Sequence, residues 1–343
     1  MNQNISYAVN FYLYLKQIEN TIIRMILALL LAICSTATFS QEIKFPTKTV
    51  TLLLPFPTGG VADTIARRMS ERLSTLWKVP VIVNSKPGAG GNLGAGMVAK
   101  ADPDGYTLLL TVYDGLVITK AFAANVGFDP ARDLVAVALP TLSTTVIVAH
   151  PSIPPKDFTS FARYAKANPG KLNFGSNGIG SSYHLALEQL NAAMGTEILH
   201  VPYKGSAQVM IDLIAGRLDA TIVTAFLALP YVNDGRVKAV AIASAERSSL
   251  FPGIPTIAES GYPGYEASVG MGVFVPAGTP EALIARLNTD ISNVINEIDL
   301  RKQFLNEGTV TTNLTAAEVA ARFQKDVTAM KSLIARKNIK LDF

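Results

Sequence analysis

The chain has 343 residues, 49% hydrophobic and 16% charged, a composition that excludes a disordered chain and allows two domains with sizeable cores. The net charge of +4 is spread without a basic run, which argues against nucleic acid as a partner. The one cysteine, Cys34, lies in a segment expected to be removed, so neither a disulfide nor a cysteine-held metal is expected in the mature protein.

The first feature along the chain is a short apolar run from Met25 to Ser35, with Arg24 before it and the small-residue stretch TATFSQ at 36–41 after it. This pattern predicts a secretory signal peptide over 1–40 with cleavage before Gln41, and hence a periplasmic protein. The run is too short to cross a bilayer comfortably. Ile33 stands where a lipoprotein box wants a small residue, so no lipid anchor is expected. Residues 1–24 are long and aromatic for such a leader, which leaves Met25 as an alternative start and a buried N-terminal helix as the plain alternative.

Strand 49–55 then runs through PFPTGG into helix 61–77, where Ile65, Met69, Leu73 and Leu76 keep helical spacing. A helix N-terminus offers unpaired N–H groups and the positive end of a dipole, and glycine lets a ligand approach the backbone. Thr58, Gly59 and Gly60 therefore form a natural anion seat, or else only a tight turn. Strand 79–84 leads through NSKPGAGGNLGA to helix 93–101, and strand 106–112 follows. Gly88, Gly90 and Gly94 with Asp114 resemble a dinucleotide loop, but the spacing is one residue too long. A connection that packs on the first loop is the simpler reading.

The stretch 134–149 is long for one strand and holds either two strands or one that crosses between domains. Alternation resumes with helix 157–168, strand 171–175, helix 181–194, strand 197–201, helix 205–215, strand 219–224, helix 226–234 and strand 237–243. After a proline-rich run come strand 268–275 and a helical end. This order predicts an α/β fold with mostly parallel sheets. Ligands then bind beyond the carboxyl ends of the strands, in a cleft between two units joined near 140–148 and 245–268.

Three more strand-to-helix junctions carry candidate ligand groups. FGSNGIGSSYH at 174–184 offers Ser176, Ser181 and Ser182, where capping would explain one serine. HVPYKGSA at 200–207 offers Tyr203 and Lys204, and TIVTAF at 221–226 ends on Thr224 and Phe226. His150, His184 and His200 have no metal-ligand spacing and are expected to be structural. Neither a nucleophile elbow nor a phosphate-binding GKS loop is present, so no enzyme activity and no cofactor are expected.

In order, PFPTGGVAD (55–63), NSKPGAGGNLG (84–94), DPDGYTLL (102–109), GSNGIGS (175–181), VPYKGS (201–206), DLIAGRLD (212–219), PTIAESG (255–261) and GVFVPAGTP (272–280) resemble the substrate-binding proteins of tripartite tricarboxylate transporters, the Bug or TctC-like family. The resemblance covers nearly all of 43–340. It implies a periplasmic binding protein of type II, with two Rossmann-like lobes, 41–145 with 265–343 and 146–264, and a ligand cleft between them. It implies a monomer that closes on a small carboxylate and delivers it to membrane permease subunits. A periplasmic sensor and an exported hydrolase are the alternatives.

Carried over, the family pattern points to Phe56, Thr58, Gly59, Gly60, Val61 and Asp63 on one lobe. On the other it points to Ser176, Gly180, Ser181 and Ser182, with Tyr203 nearby; Asp63 alternatively only caps its helix. Two departures bear on the ligand. TVYDGLV at 111–117 replaces the usual small polar stretch, making Tyr113 and Asp114 private to this pocket. Val223 and Thr224 replace an expected acid, which disfavours an amino-acid ligand. Aromatic walls from Phe56, Tyr113 and Phe226 suggest an aromatic or apolar carboxylate.

Overall fold

The computed structural model describes residues 16, 21–25, 44–122 and 125–337. The apolar core of the expected signal peptide beyond Met25 and its cleavage point before Gln41 lie outside the described residues. Among the described residues, no helix is long and apolar enough to cross a membrane.

The elements begin with β1 (Val50–Leu54), α1 (Val61–Trp77), β2 (Val81–Ser85), α2 (Asn92–Ala99), β3 (Thr107–Val112) and α3 (Tyr113–Ala121). A short turn α4 (Pro130–Asp133) precedes β4 (Leu134–Ser143) and β5 (Thr145–Ala149). Next come α5 (Phe158–Ala167), β6 (Asn173–Ser176), α6 (Ser182–Met194), β7 (Leu199–Pro202), α7 (Ser206–Ile214), β8 (Ala220–Thr224), α8 (Ala225–Asn233) and β9 (Lys238–Ile242). The chain ends with β10 (Val269–Pro276), α9 (Glu281–Ile295), α10 (Ile298–Asn306), β11 (Thr309–Thr311) and α11 (Ala316–Lys337).

These strands form two sheets, one of order β11-β4-β10-β3-β1-β2 and one of order β7-β6-β8-β5-β9. The expectation of mostly parallel sheets needs correction, because both sheets are mixed. The βα units give parallel pairs, β1 with β2 and β3, and β6 with β7 and β8. The strands that run against that direction are β5 and β10, which pair antiparallel with their neighbours, whereas β4 runs the same way as β3 and lies between the antiparallel β10 and β11. The long stretch 134–149 is two strands broken at Thr144, one in each sheet. Helix α3, helix α10 and the three-residue edge strand β11 were not legible in the residue pattern.

Each sheet has its own core. Leu53, Leu109, Leu139 and Phe274 from the first sheet pack with Tyr113 and Leu116 of α3 and with Phe323 and Val327 of α11. One face of the second sheet buries Phe158, Phe161, Phe174 and Leu190. Its other face buries Val146, Val209, Leu213 and Phe251.

The crossing point brings the two sets of strand ends together. Ser143 at the end of β4 pairs with Val269, while Met271, two residues on, pairs with Val112 at the end of β3. Thr145 at the start of β5 pairs with Thr224 at the end of β8. The carboxyl ends of the parallel strands in both sheets thus face the same crossing, at 143–145. The helices that follow, α3 and α8, start there.

Candidate functional site

The loop from β1 to α1 is exposed at Pro57, Thr58, Gly59 and Gly60, with Phe56 half-buried and Val61 54% exposed. Gly59 takes φ +86°, which a side chain would oppose. Asp63 is buried two residues into α1. Its Oδ2 accepts from the Gly59 N–H at 3.0 Å and from Arg67 Nε at 2.9 Å. Arg67, then the Gly59 N–H, holds this carboxyl below its ordinary range. The N–H groups of Val61 and Ala62, in the first turn of α1, have no acceptor among the described residues.

The glycine-rich loop of 84–95 packs on this first loop, as its simpler reading required. A Cβ on Gly91 would touch the Phe56 ring, and one on Gly94 would lie 2.7 Å from Leu53 and 2.8 Å from Pro55.

Tyr113 and Asp114 open α3. The Tyr113 ring is 2% exposed, lies edge-on to Phe323 and donates its hydroxyl to Asp326 Oδ2 at 2.9 Å. It belongs to the core of the first sheet, a placement fixed by a helix more than 200 residues away. Asp114 Oδ2 accepts the Gly270 N–H at 3.0 Å, pinning the start of β10. Burial, with the nearby Asp326 charge adding to it, pushes the Asp114 carboxyl up to about 7 against the bond from Gly270.

A folded value above the unfolded one near 3.8 means that the native state holds the extra proton. Asp114 therefore favours the fold below pH 4 and loses that contribution as pH rises through 7. Asp114→Asn has no such loss, so its melting point should gain on the wild type between pH 4 and pH 8. A constant difference across that range would show that the carboxyl ionises freely.

On the second sheet, Ser176 is 1% exposed, and its Oγ meets the Gly178 N–H at 3.1 Å and His200 Nε2 at 2.6 Å. Ser181 caps α6, accepting the His184 N–H at 3.2 Å and donating to the Gly178 carbonyl at 2.7 Å. The Gly180 N–H donates to His184 Nδ1 at 2.9 Å. The Ser182 and Tyr183 N–H groups, in the first turn of α6, have no acceptor among the described residues. The Tyr203 hydroxyl donates to Asp212 at 2.7 Å, so it serves its own lobe. Thr224 is half-buried before α8, and Phe226 is 51% exposed.

Asp114, Val117, Ser182 and Leu185 line a groove of about 1180 Å³ that runs on between α6, residues 261–268 and α11. It holds Asp114 and Ser182 from the expected site but none of the first-loop residues. Across it, Arg322 of α11 donates to Glu266 at 2.8 Å and lies 3.5 Å from Asp326. Among the described residues, no cluster of His, Cys, Asp and Glu could hold a metal ion. His184 and His200, expected from the sequence to be structural, pack against the serine-rich loop, where His184 Nδ1 accepts the Gly180 N–H and His200 Nε2 lies 2.6 Å from Ser176 Oγ.

The model of the tripartite tricarboxylate transporter family receptor matches residues 65–339. A protein from the tcbD–tcbE intergenic region of Pseudomonas sp. strain P51 is 36% identical, over 91% of this chain and 93% of that one. Among solved structures, the R. palustris protein Rpa4515 with adipate is 29% identical with TM-score 0.73, covering 86% of this chain and 99% of that one. MatC from Rhodopseudomonas palustris with bound malate is 30% identical with TM-score 0.70, covering 84% and 100%. The periplasmic binding protein BugD is 29% identical with TM-score 0.71, covering 86% and 99%.

Proposed function

The chain belongs to the tripartite tricarboxylate transporter receptor family, a family of two-lobed solute-binding proteins and not of enzymes, and from that we propose that it captures a small carboxylate in the periplasm for such a transporter. The signal peptide over 1–40 is the exporting segment in this proposal. The lobes are 41–145 with 265–343 and 146–264, and a single chain closes on the ligand by hinge motion. The permease subunits receive it.

The observation that carries the reading is the meeting of the strand ends at 143–145, with helix starts on either side. The N–H groups of Val61 and Ala62 on one lobe, and of Ser182 and Tyr183 on the other, which have no acceptor among the described residues, suit carboxylate oxygens. Aligned backbone donors supply the field, so no cationic side chain is needed. We assign Thr58, Gly59, Gly60, Val61, Gly180, Ser181, Ser182 and Thr224 to the polar grip. Phe56, Val61 and Phe226 wall the body of the ligand. Asp63, Ser176, Tyr113 and Tyr203 support these residues from behind, and Asp114 ties the hinge strand. The adipate and malate held by the R. palustris relatives support a carboxylate, and the exposed Phe226 favours one with an apolar body.

Thermal unfolding of residues 41–343 with di- and tricarboxylates, aromatic acids, amino acids and sugars tests this. A ligand at 100 times its dissociation constant stabilises by about 2.7 kcal/mol, so a selective shift with one carboxylate class is the expected result. Stabilisation by sugars or amino acids alone would overturn the proposal. So would silence from every acid in a sample that native mass spectrometry shows to be empty.

A further inference from the structure

Two histidines that the proposed grip does not use lie face to face against the serine-rich loop. His184, in the first turn of α6, and His200, on β7, stack with ring centroids 3.8 Å apart and planes 13° apart. Each ring reaches a different point of the loop. His184 Nδ1 accepts the Gly180 N–H, and His200 Nε2 lies 2.6 Å from Ser176 Oγ, which also accepts the Gly178 N–H.

The loop has little else to hold it. Gly178 and Gly180 both have positive φ, +124° and +73°, so its backbone has many states to lose on ordering. Its internal bonds, from Ser181 N–H and Oγ to the Gly178 carbonyl, tie the loop only to itself. The Tyr203 N–H to the Ser176 carbonyl fixes its start, not its tip. The stack reaches both the start and the middle.

We propose that His184 and His200 position the ligand loop through their ring nitrogens, setting the Ser182 and Tyr183 N–H groups toward the ligand by holding Gly180 and Ser176. This rests on the assignment of that loop to the ligand made above. The Gly180 contact requires a neutral His184 ring. The Gly180 bond needs the Nδ1 lone pair, which puts the His184 proton on Nε2, the atom 4.0 Å from Glu188 Oε1. Two parallel rings at 3.8 Å also oppose charge on both at once. Burial acts in the same direction on both and, with the His184 neighbour, brings His200 down to about 4.

Two substitutions at His184 separate positioning from packing. Asn keeps an acceptor at the position of Nδ1, whereas Leu keeps apolar volume and loses the acceptor. Amide hydrogen exchange on the ligand-free protein is the first readout, and affinity for malate and for adipate the second. In His184→Leu, exchange at Gly180 should rise at least tenfold and affinity should fall at least tenfold. His184→Asn should keep both within about threefold of wild type. The reverse order, with Leu tolerated and Asn not, would overturn the proposal in favour of plain core packing. Unchanged Gly180 exchange in both would overturn it as well. Faster exchange with unchanged affinity would leave the histidines holding a loop that the ligand does not touch, which overturns the functional half. Failure of the wild type to bind either acid would count against the ligand assignment, while the exchange result would still decide the positioning.

Discussion

Gly94→Val is expected to lower stability by about 3 kcal/mol, because the added side chain has nowhere to go. A Cβ alone would sit 2.7 Å from Leu53 Cδ2, 2.8 Å from Pro55 Cβ and 3.3 Å from the Lys86 carbonyl. None of these can step aside cheaply. Leu53 is 4% exposed in the middle of β1, Pro55 is a ring at the root of the first ligand loop, and Lys86 contributes backbone. Helix α2 would have to lift from β1, or the loop at 55–60 would have to move. A urea titration would read the loss as a lower midpoint with an unchanged slope. Gly90→Ala is the control: φ there is +63°, but nothing lies within 4 Å of a Cβ, so only backbone strain of about 1 kcal/mol is expected. If both variants melt alike, the close approach of α2 to the ligand loop is not what this glycine provides.

That contact also shows what the sequence could reveal. The segment 84–95 was legible as a loop packing on 55–60 because glycine clusters between a strand and a helix mark close backbone approach. Helix α1 was legible to the residue, since Ile65, Met69 and Leu73 repeat on one face and Gly60 precedes its start. Helix α3 was hidden for a physical reason. It is buried almost all round, at Tyr113, Leu116, Val117, Ile118, Thr119 and Ala121, so it lacks the amphipathic period that betrays a surface helix. The three residues of β11 were too few for any pattern. The direction of Tyr113 was equally illegible, because the residue that takes its hydroxyl, Asp326, is 213 positions away. Reading Tyr113 as a pocket wall followed from its place at a strand end, where the structure instead turns it into the core. The junctions after β1, β2, β6 and β7 were visible, since each joins a β-rich run to glycine, serine or proline, whereas after β3 and β8 the strand passes straight into the helix. Their convergence was not visible, because it depends on the antiparallel entry of β5 and β10 at the crossing.

Asp63→Ala should weaken ligand binding at least tenfold while costing about 1–2 kcal/mol of stability, the range of a lost helix cap. The carboxylate does two tasks from one oxygen: Oδ2 holds the Gly59 N–H, which fixes the left-handed turn, and meets Arg67. The other oxygen, Oδ1, is buried with no partner among the described residues. Arg67 and the Gly59 N–H depress its titration, so the charge contributes fully above its unfolded value of 3.8 and fades only as pH falls below that. At neutral pH the variant therefore loses the whole contribution. Asp63→Asn distinguishes the two tasks. Its Oδ1 can still accept from Gly59, and it gives up only the ion pair to a mostly exposed guanidinium, a weak interaction in water. If the turn is what binding needs, Asn keeps most of the affinity and Ala loses it, in calorimetric titration with whichever acid stabilises the wild type. Equal loss in both would mean that the charge itself matters, with a ligand donor or a bound water on the unpartnered oxygen. Full affinity in Ala would remove the first loop from the site. The expected order, wild type close to Asn and well above Ala, follows from the 3.0 Å bond to Gly59 that only Ala abolishes.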